Sequence, residues 1–248
     1  MSFPNILHIT EEETFNSYTT ERVPVGTKAV VEDGRVFRFS EVGATALVVN
    51  DMNQGEAPTT GYSGEAIGTL AAGVTVLTGV GATNEGGSIA IVADVLKYGY
   101  IHTDNATTLP IMRIKANTAI ALGSTGTVTL FLPTPTAIAA GNTVSYIKNP
   151  WRDVIQGVIT TPTAVPTGVC RVAAAAAAFC WLQTAGVTTV QYDTATTPIA
   201  AVGDPVQMGV AAGAVGGIPT VGITQIVGHL VGLVEADTES ILVNLCID

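Results

Sequence analysis

The sequence predicts an all-β protein of β-sandwich or barrel units, with a short N-terminal arm and little helix. Three observations support this prediction. Apolar and polar residues alternate in several short stretches, helical periodicity is hard to find, and turn-forming residues interrupt the apolar runs roughly every eight to twelve residues. Such spacing is typical of a sandwich or barrel rather than of βαβ units. The turn signals are Asp33-Gly34, Gly86-Gly87, Asn105, Gly141-Asn142, Gly203-Asp204-Pro205 and Gly216-Gly217.

Taken in chain order, the first element is the best helix candidate, "EEETFNSYTTER" (residues 11–22), which its Thr and Ser residues weaken. "SIAIVADVL" (88–96) and "TVTLFL" (127–132) alternate as half-buried strands do. The residues predicted to face the core are Ile89, Ile91, Ala93 and Val95 in the first strand and Val128, Leu130 and Leu132 in the second.

Six consecutive alanines at 173–178 look helical, but they make fewer than two helical turns. Isolated helices shorter than about 12 residues are marginal in water. The residues that follow, 179–192, are typical of strand, turn and strand, with the turn at Gly186, and Pro166-Thr167-Gly168 signals a turn before the run. We therefore predict a short connection, or at most one helical turn, between two strands.

The chain is expected to form three regions. Residues 1–24 lack a strand pattern and predict an N-terminal arm. Residues 25–148 predict a first β domain, and residues 149–248 predict a second one that opens with Asn149-Pro150-Trp151. Pro133-Thr134-Pro135 is an alternative boundary between these two domains.

Low charge is the main compositional feature. Charged residues make up 12% of the chain, against about 25% in typical globular proteins, and hydrophobic residues 47%. A free monomer with such a surface is poorly solvated, so we expect an oligomer or a subunit of an assembly. The longest apolar run, 172–182, is too short for a membrane helix, which needs about 18 residues. The N-terminus lacks the pattern of a secretory signal, so a soluble protein made in a cytoplasm is expected.

The charge distribution argues against nucleic-acid binding. The formal net charge is −10, whereas nucleic-acid binders need a basic patch. No Lys or Arg follows Arg171, so the C-terminal part is anionic. Arg22, Lys28, Arg35 and Arg38 form a basic cluster near the N-terminus. This cluster is either a solvated strand face or a contact for an acidic partner surface.

No catalytic, cofactor-binding or metal site is predicted. His8, His102 and His229 are scattered, and none lies at metal-ligand spacing. His102-Thr103-Asp104 could orient an imidazole, but "TGYSGE" (60–65) departs from the G-x-S-x-G nucleophile motif at Glu65. The glycines at 79–81 and 213–217 do not complete a phosphate-binding loop.

Two further groups of residues are assigned structural roles. Glu235, Asp237 and Glu239 could hold Ca²⁺, but they separate two apolar strands, which favours a solvated hairpin loop. The three cysteines, which have no CxxC spacing, are expected to be buried free thiols. They are Cys170, Cys180 and Cys246.

The two tryptophans are expected either to pack in the core or to anchor an interface. Trp151 is the better candidate for a surface anchor because Pro150, Arg152 and Asp153 surround it. Trp and Arg are enriched at interface hot spots. Trp151 and Arg152 therefore join the basic cluster as predicted interface residues.

Several short motifs, in this order, resemble head-decoration (capsid-cement) proteins of tailed bacteriophages. They are "DGRVFRFSEVG" (33–43), Asn149-Pro150-Trp151 before "VIQGVI" (154–159), "FCWLQTAG" (179–186), "GDPV" (203–206) and "IVGHLVGLVEADTESILVNLCID" (226–248). The alanine run departs from the more varied small residues expected of that family.

The resemblance implies an all-β, often trimeric virion protein that catalyses nothing. It would be assembled in the host cytoplasm and bridge major capsid protein subunits on the capsid exterior, without a cofactor and without nucleic-acid or membrane partners. The basic cluster and the N-terminal arm would then contact the capsid. Two alternatives stay open: a carbohydrate-binding or adhesive module of a phage tail or cell surface, and a polysaccharide-degrading enzyme using Glu235 or Asp237.

Overall fold

The structure is a computed structural model that describes residues 6–81, 89–104, 110–139, 141–157, 164–199, 201–218, 225–233 and 236–248. These residues confirm the all-β prediction, since their helical segments are the two short 3-10 helices Glu12–Phe15 and Thr60–Tyr62. The strands are β1 (Ile6–His8), β2 (Ser17–Tyr18), β3 (Lys28–Val30), β4 (Val36–Glu41), β5 (Met52–Gln54), β6 (Glu65–Ala66), β7 (Val76–Gly81), β8 (Tyr100–Thr103), β9 (Met112–Asn117), β10 (Thr125–Leu130), β11 (Thr143–Ile147), β12 (Ile155–Gln156), β13 (Pro166–Cys170), β14 (Phe179–Gln191), β15 (Pro205–Met208), β16 (Val215–Gly217), β17 (Ile226–Leu230) and β18 (Ser240–Cys246).

The chain divides into two compact units. The split unit comprises Met1–Ala57 and Pro150–Asp248, and the inserted unit comprises Pro58–Asn149. The observed division differs from the predicted regions 1–24, 25–148 and 149–248, because strands before Ala57 pair with strands after Pro150. The sequence prediction placed a boundary near residue 149 but missed the one after Ala57.

The split unit is built on one 12-stranded sheet, whose main path runs β1-β3-β4-β14-β18-β17-β15-β16. Strand β14 is its centre. It pairs antiparallel with β4 from Phe179 and with β18 from Ala185 onward. Strands β2 and β13 also pair with β14, and β5 joins β13 to β12.

The described part of the predicted arm, residues 6–24, belongs to the sheet and its core. Strand β1 pairs in parallel with β3, and β2 pairs with β14. Leu7, Tyr18 and Val23 pack against the buried cluster that contains Phe39 and Trp181. The arm prediction is therefore wrong for these residues, because apolar side chains spaced irregularly along the segment supply core contacts.

Strand β14 also corrects the prediction of strand, turn and strand after the alanine run. It is continuous, and Gly186 lies within it at φ +87°. The pairing register with β4 shifts between Gln183 and Ala185, so the glycine lies beside a bulge rather than in a turn. Residues 171–178 do form a short connection between strands, as predicted, but Pro166-Thr167-Gly168 lies in β13 rather than in a turn.

The inserted unit contains a six-stranded sheet in the order β6-β11-β8-β9-β10-β7, which encloses its own apolar core. Val128 and Leu130 are buried as predicted, whereas Leu132 is exposed because β10 ends at Leu130. The strand predicted over 88–96 is wrong in its described part: Ile91 makes one bridge to Ile120, and turns follow.

The described turn signals of the split unit give mixed outcomes. Gly34 and Gly203 lie in turns at positive φ. Gly216 and Gly217 instead form part of β16 and are buried, because the backbone of residues 193–198 approaches them too closely for a side chain. The signals Gly86-Gly87 and Asn105 lie outside the described residues.

Candidate interaction surface

Six described side chains on one side of the split unit's sheet form an accessible patch that contains no Asp, Glu, Lys or Arg. We call this patch the outer face. Its six side chains are Val187 and Thr189 of β14, Leu242 and Asn244 of β18, His229 of β17, and Val231, which follows β17. Val187, Asn244 and His229 form one row across the sheet, and Thr189 lies opposite Leu242 in the next. Val231 extends that row, since its N–H donates to the carbonyl of Leu242 at 3.0 Å.

Half of the side chains of the outer face are apolar and well exposed. Val187, Leu242 and Val231 are 47%, 44% and 42% exposed. The alternating residues on the opposite side, such as Val190 and Ile241, are buried in the core of the unit. Because successive side chains point to opposite faces of a strand, burial of one set fixes the other set outward. The sequence therefore places valine and leucine where an isolated sheet would carry polar residues.

A shallow depression of ≈ 410 Å³ borders the outer face at the β3–β4 turn. Gly186 permits the approach, because a Cβ there would lie 2.7 Å from Cγ of Arg35. Val187 and Asn244 line it on the side of the outer face, and Asp33 and Arg35 on the other. Charged side chains of the β3–β4 turn thus flank the outer face.

Two of the predicted interface residues contact one carboxylate, and a third packs against one of them. The guanidinium of Arg38 donates from Nε and Nη2 to the two carboxylate oxygens of Asp248, both at 2.7 Å. Lys28 approaches the same carboxylate at 3.5 Å, and Arg38 lies over the ring of Trp151, 4.7 Å from its centroid. The hydrogen bonds from Arg38 hold the pKa of Asp248 below its usual range.

Arg35 belongs to a second ion-paired group. It contacts Glu11 and Asp33, both at 2.6 Å. Arg171 also reaches Glu11, at 3.2 Å, and lies over the ring of Phe15. Hydrogen bonds and charge from Arg35 and Arg171 lower the pKa of Glu11.

The remaining two predicted interface residues lie apart from these groups. Arg152 binds the Glu41 carboxylate at 2.8 Å. Burial raises the pKa of Glu41 despite the opposing charge of Arg152. Arg22 is exposed and lies over the ring of Tyr18, 5.4 Å from its centroid. The six predicted interface residues therefore do not form one patch, and each has a partner within the split unit.

The two tryptophans differ as the sequence suggested. Trp181 is buried against Phe39, with ring centroids 5.0 Å apart. Trp151 is half-buried, and its Nε1 donates to the carbonyl of Thr167 at 3.1 Å. That Trp151 anchors a partner stays a prediction.

The inserted unit brings together serine, histidine and aspartate side chains that the sequence separates. Ser145 Oγ donates to Asp104 at 2.5 Å and accepts the N–H of Gly64 at 3.1 Å. His102 Nδ1 lies 3.1 Å from the carbonyl of Thr103 and 4.0 Å from the Asp104 carboxylate. Ser145 is thus held directly by a carboxylate rather than by an imidazole, which is not the arrangement of a Ser-His-Asp triad. Its place in an apolar strand gave no sequence signal.

The acidic segment is a hairpin loop in its described part, as predicted, and Glu235 lies outside the described residues. The Asp237 carboxylate accepts the N–H of Thr194 at 2.8 Å, and that of Glu239 accepts the N–H of Ala236 at 3.1 Å. Within the described ranges, no group of three His, Cys, Asp or Glu side chains is arranged to hold a metal ion.

The cysteines are free thiols, but they are not all buried. Cys170 and Cys180 are buried as predicted, whereas Cys246 is exposed. The reason is strand alternation: Cys246 lies on the same side of β18 as Leu242 and Asn244. Its prediction as a buried residue is wrong because apolar β18 faces the core on one side only.

Comparison of the chain with protein-family models, curated proteins and solved structures gave no match. The fold defines an all-β protein whose split unit carries an accessible sheet patch of valine, leucine and uncharged polar side chains. In the part of the chain that the structure describes, no helix has the length and apolar character needed to cross a membrane.

Proposed function

We propose that this chain is a non-enzymatic structural protein that binds the outside of a bacteriophage capsid and stabilises it. The outer face is the observation that supports the proposal most directly. It offers valine and leucine side chains at 42–47% exposure on a hydrogen-bonded sheet, with no Asp, Glu, Lys or Arg among its six side chains. Apolar area removed from water on binding contributes about 25 cal/mol per Å², so such a face favours adhesion.

The ion pairs of the split unit add a second argument. Arg35, Arg38 and Arg152 are already bound to carboxylates of the same unit. Association through these side chains would have to replace existing ion pairs, whereas association through the outer face breaks none. We therefore place the main contact on the outer face and treat the basic cluster as its border.

Binding would act by mass action. A surface that forms fully only across assembled capsid subunits is bound by that lattice and not by free subunits, so the protein stabilises the lattice. Several copies on one shell, or a trimer, would add their contacts through multivalency. The partners proposed are the major capsid protein and further copies of this chain.

The test combines light scattering with electron microscopy of particles from the infected culture that makes the chain. We expect a stable trimer, whose mass is about three times 25.3 kDa, and density for it on the outer surface of the shell. A protein that stays monomeric and is absent from the particles would contradict the proposal.

A charge on the outer face should separate adhesion from folding. Leu242→Glu places a carboxylate among exposed apolar side chains and should weaken particle binding at least about tenfold, since burying an unpaired charge costs more than about 1.4 kcal/mol. Leu122→Glu is the matched control, because Leu122 is 60% exposed but belongs to the inserted unit. Equal binding by both variants and the wild type would exclude the outer face.

The carbohydrate-binding alternative gains no support from the geometry. It requires an open aromatic platform, and the best candidate was Trp151. Arg38 covers one face of that ring at 4.7 Å. We therefore propose the capsid-binding function alone.

A further inference from the structure

Two buried cysteines lie in contact at the two ends of the alanine connection. Cys170 is the last residue of β13 and Cys180 the second residue of β14, and their sulfurs are 4.0 Å apart. Cys170 pairs with Leu182, so Cys180 lies one diagonal step away on the same side of the sheet. Both thiols are enclosed by the apolar cluster that contains Val42 and Val154.

The hydrogen bonds make the two thiols unequal. In its protonated state the Cys170 thiol donates to the carbonyl of Val172, 2.7 Å away, whereas the ionised sulfur of Cys170 would accept the S–H of Cys180, 4.0 Å away. That bond stabilises the thiolate of Cys170 and lowers its pKa. The same bond, together with burial, raises the pKa of Cys180. Cys170 is therefore the better nucleophile, and Cys180 lies beside it as a resolving thiol.

We propose that Cys170 and Cys180 are a redox modification site that forms an intramolecular disulfide on reaction with hydrogen peroxide. This inference does not depend on the proposed capsid function. Because both sulfurs are buried, only a small oxidant such as hydrogen peroxide suits the site.

The reaction balances in two steps. The Cys170 thiolate attacks one peroxide oxygen, the O–O bond breaks, and Cys170 becomes a sulfenic acid while hydroxide takes up a proton to leave as water. The Cys180 sulfur then attacks the Cys170 sulfur, the S–O bond breaks, and the second oxygen leaves as water with the proton of Cys180. Two thiols lose two electrons in total, and one peroxide is reduced to two waters.

The disulfide would join β13 to β14 across residues 171–179. Closing this loop restricts the unfolded chain, so the oxidised protein should melt higher by on the order of 5 °C. A reductant such as dithiothreitol should reverse the shift.

Cys246→Ser provides the background for the test, because Cys246 is the exposed thiol and would otherwise react on its own. After treatment of this folded variant with one equivalent of hydrogen peroxide, both remaining thiols should disappear. The mass should fall by about 2 Da, and the chain should run as a monomer on a non-reducing gel. Native wild-type protein with Cys246 alkylated repeats the test without a substitution.

Removing either partner separates the two steps. In Cys180→Ser with Cys246→Ser, the sulfenic acid of Cys170 should persist and be trapped by dimedone. In Cys170→Ser with Cys246→Ser, no disulfide can form, and trapping of Cys180 should be slower than that of Cys170, since burial still raises the pKa of the Cys180 thiol. The proposal is overturned if the folded two-thiol protein keeps both thiols under peroxide, or if each sulfur gains oxygen without forming the disulfide.

Discussion

The two halves of strand β14 show how one strand serves two different environments. In the first half, Trp181 packs against Phe39 on one side, and Leu182 joins a separate apolar cluster on the other. In the second half, Val190 is buried on one side while Val187 is exposed on the other. Both halves are rich in apolar and β-branched residues, so local propensity does not distinguish them. The difference is whether a second layer covers the strand.

Gly186 lies where the environment changes. The first half opens with a continuous apolar run, residues 179–182, as expected for a strand buried on both faces. The second half alternates: Thr188 and Val190 face inward, and Val187, Thr189 and Gln191 face outward. The outward side therefore combines an exposed valine with uncharged polar residues, which makes the outer face a candidate for adhesion.

The largest difference in stability between the two halves is expected when the core side chain Trp181 is removed from the first half. Trp181→Ala should lower the free energy of unfolding by about 3–5 kcal/mol, since a large cavity opens in a two-sided core. Val187→Ala, in the second half, should change it by less than about 0.5 kcal/mol. Urea unfolding followed by circular dichroism measures both, and equal losses would show that the two halves are buried alike.

The bulge itself is tested by adding one methyl group. Gly186→Ala introduces a Cβ at φ +87° and 2.7 Å from Cγ of Arg35, so we expect a loss of about 2 kcal/mol. Gly34→Ala is the matched control, because its φ is +88° and nothing lies within 4 Å of the added Cβ. Its loss should be about 1 kcal/mol. If thermal unfolding shows the same loss for both, the close approach of Arg35 is unimportant.

The ion pair beside the first half of β14 should contribute less than the Trp181 side chain or the bulge. Because the folded pKa of Asp248 lies below its usual value, the stability it contributes is present above about pH 4 and is lost as pH falls through the folded pKa. Asp248→Asn should cost about 1 kcal/mol at pH 7, because both partners are partly solvated. The difference from the wild type should shrink on acidification.

Unfolding in urea at pH 7 and pH 3 measures this dependence. Glu32→Gln is the control for removing a carboxylate charge, since Glu32 is exposed and lies next to Asp33 in the β3–β4 turn. Its effect should be small at both values. A difference for Asp248→Asn that stays constant with pH would show that the carboxylate acts through packing rather than charge.

The sequence predicted the fold class because alternation and turn spacing are local properties. It also predicted that the alanine run is a connection, since propensity cannot hold so short a helix. It failed where a residue's role depends on a distant partner. Gly186, Gly216 and Gly217 were predicted as turns, but each lies in a strand where another segment approaches closely.

The candidate surface was only partly predictable for the same reason. The basic cluster is visible in the sequence, but its pairing with Asp248 joins residues 210 positions apart. The outer face requires knowing which side of β14 and β18 is covered, and the sequence shows only that both strands are apolar. Low overall charge indicated an adhesive surface without locating it.

The insertion of one unit into another constrains the order in which a growing polypeptide can fold. All strands of the inserted unit are synthesised before β12 to β18. During that interval β4 lacks its neighbour β14. Phe37 and Phe39 therefore lack Trp181, with which they pack in the folded protein. Translation speed through residues 58–149 therefore sets how long this incomplete sheet is exposed to aggregation, and the nascent chain is most vulnerable until β14 leaves the exit tunnel.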